Sequence, residues 1–153
     1  TDAEGRLVLA DALAYTVAKY KPSAIIDLAT LTGAAVVALG YYADAVFSNS
    51  ERLKREVMDA AERAGERVWH MPLFEEYTEE VKGEVAELRN SVGHRWGGAC
   101  TAAAFLKEFV SGTPWVHVDI APSSYPAVAS PIQPKNAVAG SGVRTLLELL
   151  KGK

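Results

Sequence analysis

The sequence predicts a layered α/β domain, a sheet with helices on both of its faces. Two short apolar runs of strand length, Ala24-Ile25-Ile26 and Ala45-Val46-Phe47, are separated by segments with helical spacing and caps. Trp115 to Ile120 alternates Trp, Val, His, Val, Asp, Ile and reads as a further strand. Helices alternating with short apolar strands are the pattern of layered α/β architecture. At 153 residues the chain has the size of one domain with a single sizeable core.

The elements follow in order. Ala3 to Tyr20 is helical, with a stripe of Leu7, Ala10, Leu13, Ala14 and Val17 that Val8, Leu9 and Ala12 widen. A helix apolar over so much of its girth is expected to be largely buried. Lys19-Tyr20-Lys21-Pro22 ends it. Ser23 to Leu28 carries a continuous apolar run, as a central strand would. Thr30-Leu31-Thr32-Gly33 is a turn, because Gly33 and the hydroxyls favour tight local hydrogen bonding. Ala34 to Leu39 forms a short helix closed by Gly40, and Ala45 to Phe47 a strand. Ser50 caps an amphipathic helix from Glu51 that Gly65 terminates. Arg67 to His70 is a short strand, Leu73 to Lys82 a polar helix and Glu84 to Leu88 an edge strand. Asn90 to Gly98 is a loop, and Ala99 to Val110 a buried helix with few polar positions. Pro122, Pro126, Pro131 and Pro134 break every candidate element between Ala121 and Gly140. Loops that long are uncommon and usually functional or disordered. A functional loop is expected here, with Tyr125, Val128 and Ile132 packing over a cleft. Ser141 to Lys151 closes the chain as a helix.

Composition excludes several classes. Apolar residues make up 49% and charged residues 23%, a globular balance that argues against disorder. The net charge of −3, without a Lys/Arg block, makes nucleic acid and anionic membrane poor partners. A lone cysteine, Cys100, forbids an internal disulfide and fits a reduced, cytoplasmic setting. No run approaches the ~18 apolar residues of a membrane span, and no charged-then-apolar leader opens the chain. A start at Thr1, with no Met, points to a cleaved product or a fragment.

The amino end concentrates the chemistry. Asp2, Glu4 and Arg6 place two carboxylates and a guanidinium within five positions, the donor types a divalent-metal hydrolase needs. Thr1-x-x-Glu4 also matches a capping box, and acids in a first turn are expected from the helix dipole. Spacing alone favours capping. Elsewhere the signals are weaker. His117 reads as a hydrogen-bonded structural histidine, and His70 and His94 are isolated. No H-x-x-x-H or His/Cys cluster occurs, Gly93-x-x-x-Gly97-Gly98 lacks the Lys-Ser/Thr of a phosphate loop, and no Gly-x-Ser-x-Gly elbow is present. Cys100 reads as core packing.

The blocks themselves carry a stronger signal. Thr1-Asp2-Ala3-Glu4-Gly5-Arg6-Leu7 resembles the diagnostic motif of the leucyl aminopeptidases, the M17 family of dinuclear-metal exopeptidases. The resemblance continues in Asp27-Leu28-Ala29-Thr30-Leu31-Thr32-Gly33-Ala34 and Arg67-Val68-Trp69-His70-Met71-Pro72-Leu73. It resumes from Gly97 to Phe109, in Trp115-Val116-His117-Val118-Asp119-Ile120-Ala121 and in Gly142-Val143-Arg144-Thr145-Leu146.

What the resemblance implies is specific. Residues 1–153 would be the C-terminal half of a dinuclear-metal aminopeptidase catalytic domain, a truncated part of that α/β fold. Asp2 and Glu4 would hold a pair of divalent ions, Mn²⁺ or Zn²⁺, with Glu4 bridging. Residues two apart point the same way only in extended backbone, since a helix turns them about 200° apart. The regular helix is therefore expected to start near Arg6. The ions would activate a water and polarise the scissile carbonyl, releasing apolar, leucine-type residues from peptide amino ends. Arg6 would be the catalytic arginine that holds a bicarbonate ion, with the Leu31 N–H near the same anion and Gly5 allowing close approach. Thr30, Gly33 and Ala121 would line the pocket of the leaving side chain. Where the family usually has Gly after that alanine, Pro122 stands here and stiffens the rim.

The family's other metal ligands and its two active-site lysines lie upstream of the segment matched here. Two acids cannot hold two divalent ions that each want four to six ligands. The chain alone is expected to bind metal weakly and hydrolyse nothing, and to need the upstream half as a partner or to self-associate. The complete family forms hexamers. A non-catalytic assembly or regulatory module that keeps the fold is the alternative.

Overall fold

The computed structural model describes residues 3–124 and 138–151. In chain order they form α1 (Glu4–Tyr20), β1 (Ile25–Ala29), α2 (Gly33–Leu39), β2 (Asp44–Ser48), α3 (Glu51–Ala64) and β3 (Val68–His70). Then come α4 (Glu75–Glu80), α5 (Gly98–Lys107), β4 (Trp115–Asp119), α6 (Ala121–Ser124) and α7 (Val143–Lys151). No helix of the described residues is long and apolar enough to cross a membrane.

The four strands make one mixed sheet in the order β1-β4-β2-β3. β1 runs parallel to β4, β4 antiparallel to β2, and β2 parallel to β3. The carboxyl ends of β1 and β4 therefore share one sheet edge with the amino ends of β2 and β3. Register aligns Asp27, His117 and Phe47 across one face, because side chains of paired residues share a side. That face packs with Ala10 and Leu13 of α1, Ala35 of α2 and Cys100 and Ala103 of α5 into one core. On the opposite face Val46, Val116 and Val118 meet Leu53, Val57 and Ala60 of α3 and Leu149 of α7. The helices on both faces that the sequence predicts are present.

Local sequence explains the helix ends that formed as expected. Ser50 accepts the Leu53 N–H, and Gly65 takes the left-handed conformation that closes α3. Every residue from Ala99 to Leu106 is buried, which matches the near absence of polar side chains there.

Other expectations fail for identifiable reasons. β1 is an edge strand of the sheet, not a central one, and only Ile25 within it is buried. Glu84 to Leu88 forms no strand, only an isolated bridge between Lys82 and Leu88. The helix at 143–151 starts two residues later than expected, and Ala121–Ser124 is a helical turn where only loop was expected. Tyr125, Val128 and Ile132 lie outside the described residues.

The first helix departs most. It begins at Glu4, so Glu4 is its first helical residue and not part of an extended lead-in. The change of chain direction falls on Ala3, at φ 72°, whose carbonyl accepts the Asn90 side-chain N–H at 3.0 Å. Ala3 gives no side-chain cap. Nor is the helix largely buried: only Ala10 and Leu13 are, whereas Val8 is 70% and Tyr20 65% exposed. Its apolar stripe packs chiefly on α5, which covers one side of a helix that is apolar nearly all round.

Candidate functional site

The shared sheet edge gathers Arg6 and the residues singled out in the Thr30–Gly33 turn. Arg6, in the first turns of α1, donates from Nη1 to the Asn90 carbonyl at 2.5 Å. The Asn90 side chain holds the Ala3 carbonyl in return, so one loop residue fixes the entry of α1 from two sides. Burial pulls the proton affinity of Arg6 below the usual guanidinium value, and the nearby Asp119 carboxylate opposes that shift. Its Nε is buried and has no hydrogen-bond partner among the described residues. A buried guanidinium that keeps an unused donor is costly unless an acceptor is supplied from outside.

The turn after β1 is held from the end of β4. Asp119 Oδ1 accepts the Leu31 N–H at 3.0 Å, and Oδ2 accepts the Thr32 hydroxyl at 2.7 Å. The Thr32 Oγ1 in turn accepts the Ala35 N–H and caps α2. Asp119 Oδ1 also accepts the Ala121 N–H at 3.2 Å. Thr30 and Gly33 are exposed, and nothing stands within 4 Å of the place a Cβ on Gly33 would occupy. The turn therefore presents an open face. Burial raises the pKa of Asp119, while its hydrogen bond from Thr32 and the charge of His117 pull it back.

Farther along the same edge, Asp44 opens β2 and Glu66 precedes β3. Asp44 accepts the Ser123 N–H and hydroxyl at 3.1 and 2.8 Å, and the Ser123 hydroxyl meets that of Ser141 at 2.6 Å. Glu66 accepts the backbone N–H groups of Gly142 and Thr145 and the Thr145 hydroxyl, which ties it to the first turn of α7.

The structure thus brings together Arg6, Leu31, Gly33, Thr30 and Ala121 around one sheet edge. Glu4 stands two residues before Arg6 at the head of α1, and Asp2 lies outside the described residues. Asp119, Asn90 and Thr32 were not singled out from sequence. A signal for Asp119 existed. Alternation puts Trp115, His117 and Asp119 on one side of a strand otherwise suited to burial, where a carboxylate needs a reason. His117 is structural, as expected. It is buried, with Nδ1 2.6 Å from Asp27 Oδ1.

A model of the cytosol aminopeptidase family's catalytic domain, peptidase M17, matches residues 1–147. The chain belongs to that family. The match takes in every motif block quoted above. Among relatives of this M17 chain is a probable cytosol aminopeptidase of Desulfotalea psychrophila, 50% identical over 151 residues. One from Roseiflexus castenholzii is 53% identical over 152 residues. Each alignment covers 99% of this chain and 30% of the relative. A solved tomato leucine aminopeptidase mutant is 44% identical with a TM-score of 0.87, over 99% of this chain and 29% of that one. The M17 chain therefore spans about 30% of the length of the curated relatives it matches.

Proposed function

We propose that this chain supplies part of the catalytic machinery of an aminopeptidase that removes apolar, leucine-type residues from the amino ends of peptides. The observation that carries the reading is the buried, unsatisfied Nε of Arg6 beside the strand-end turn of an M17 chain. Ligands of open α/β sheets lie outside strand carboxyl ends, which is where Arg6 and the turn meet.

The described residues do not by themselves fit a two-metal centre. No group of three or more His, Cys, Asp or Glu able to hold a metal ion occurs among them. Asp2 and Glu4 would be two donors to a Mn²⁺ or Zn²⁺ pair, with the remaining ligands from outside this chain.

What this chain's residues do follows from their geometry. Arg6 fits a planar anion such as bicarbonate, since its Nε–H has no partner among the described residues while Nη1 is anchored to Asn90. That anion would accept a proton from the attacking water. The exposed face of Thr30 and Gly33 receives the leaving side chain, and Ala121 closes the pocket's far side. A hexameric assembly and a cytoplasmic location belong to the same proposal. The printed names of the relatives, cytosol aminopeptidases, support the location.

The test joins this chain to the remaining portion of one of these relatives and assays leucine p-nitroanilide with added Mn²⁺. The chimera is expected to hydrolyse it, and the isolated chain not. Loss of activity in E4Q and R6A chimeras completes the expectation. A folded, assembled chimera without activity would overturn the peptidase reading in favour of a non-catalytic module. Turnover by the isolated chain would overturn the claim that its site is incomplete.

A further inference from the structure

Asp119 is buried, yet the reaction as proposed gives it no part. A buried carboxylate is expensive to keep. Among the described residues its oxygens are held by neutral donors from two separate segments: Leu31 and Thr32 after β1, and Ala121 after β4. β1 and β4 are parallel neighbours, so those two segments leave the sheet side by side. The last backbone hydrogen bond between them runs from the Ile120 N–H to the Ala29 carbonyl at 2.9 Å. Beyond it, this carboxylate links the two departing segments.

We propose that Asp119 is a positioning residue, setting the spacing between the Thr30–Gly33 turn and Ala121 and so the width of the pocket between them. The assignment rests on the aminopeptidase reading of that pocket. A carboxylate suits the task because it is acceptor-only: all three donors find lone pairs and no alternative flip exists. Thr32 extends the linkage, since the hydroxyl bound to Asp119 also caps α2. Position along the edge is thereby passed from β4 to the turn and to the helix behind it.

The test has two arms. In the 153-residue chain, amide hydrogen exchange is followed at Leu31 and Ala121, with amides of α3 as internal controls. D119A is expected to speed exchange at Leu31 and Ala121 by ~10-fold or more while α3 is unchanged. D119N keeps a carbonyl toward the two N–H groups and is expected to restore most of their protection. In the full-length chimera, D119A is expected to lower kcat on the order of 100-fold, as small misplacements do. D119N is expected to recover kcat to within about tenfold of the parent, the same tolerance for a near-isosteric acceptor. If D119A fails to fold, T32V carries the test: it removes one donor, and faster exchange at Leu31 with lower kcat is expected. Unchanged protection in D119A or T32V would overturn the proposal. So would D119N losing as much kcat as D119A while its amides stay protected, because charge and not placement would then be responsible. An inactive parent chimera would instead fail the peptidase reading and leave the exchange arm to decide whether Asp119 links the two segments.

Discussion

The Asp44 carboxylate accepts two hydrogen bonds from one residue, the backbone N–H and the hydroxyl of Ser123. Even so, burial raises its pKa to about 6, with the charges of Glu66 and Asp119 adding to the shift. In the unfolded chain an Asp ionises near pH ~4. The folded state therefore holds a proton that the unfolded state has lost between those values. Stability from this group is full below about pH 4 and is lost as pH rises through about 6, a difference on the order of 3 kcal/mol. D44N, which does not ionise, is expected to flatten that decline. Urea midpoints at pH 4, 5, 6 and 7 check it, and parallel curves for the two proteins would contradict it.

Asp27 is a second buried junction. It takes the Trp115 indole N–H and faces His117 Nδ1, both at 2.6 Å. Against a carboxylate Nδ1 carries the proton, so D27A leaves two buried donors unsatisfied. A destabilisation of about 2–6 kcal/mol is expected, from one to three for each orphaned donor. Chemical denaturation with near-ultraviolet dichroism of Trp115 measures it. A cost under ~1 kcal/mol would mean that water or a rearrangement replaces the carboxylate.

Gly142 has φ 80°, and a Cβ there would collide with Leu28 Cδ2. G142A must therefore strain the backbone and displace Leu28 from under α7. A loss of about 1–3 kcal/mol is expected, the left-handed penalty plus repacking. Thermal melting reports it, and an unchanged midpoint would show that this junction is slack.

Arg6 anchors through Nη1, and its Nε has no partner among the described residues. Lysine preserves the charge but offers no planar fork. In the full-length chimera, R6K is expected to lower kcat by ~100-fold or more, comparable to loss of a transition-state donor. Steady-state kinetics on leucine p-nitroanilide decide it. Near-parent turnover in R6K would show that charge alone suffices.

Local features were the legible part of this chain. Ser50 and Gly65 mark α3 because caps depend on neighbours within a turn, and Ala99–Leu106 announces burial by composition. The position of β1 was not readable, because strand order is decided by pairing with residues some ninety positions away. For the same reason Asp119 escaped notice: its partners at Leu31 and Thr32 are 88 and 87 residues distant. The motif at the amino end was legible as residues, and the family match agrees with it. Its backbone is not legible locally, because Asn90, across the fold, fixes the bend at Ala3.

Asp119, Asp44 and Glu66 stand at successive strand ends along one rim, and Ala45 pairs with Asp119 to bring two of them close. Neutralising Glu66 or Asp119 eases the ionisation of Asp44. Replacements at Glu66 or Asp119 are therefore expected to be non-additive with replacements at Asp44, so the rim answers to mutation as a unit rather than residue by residue.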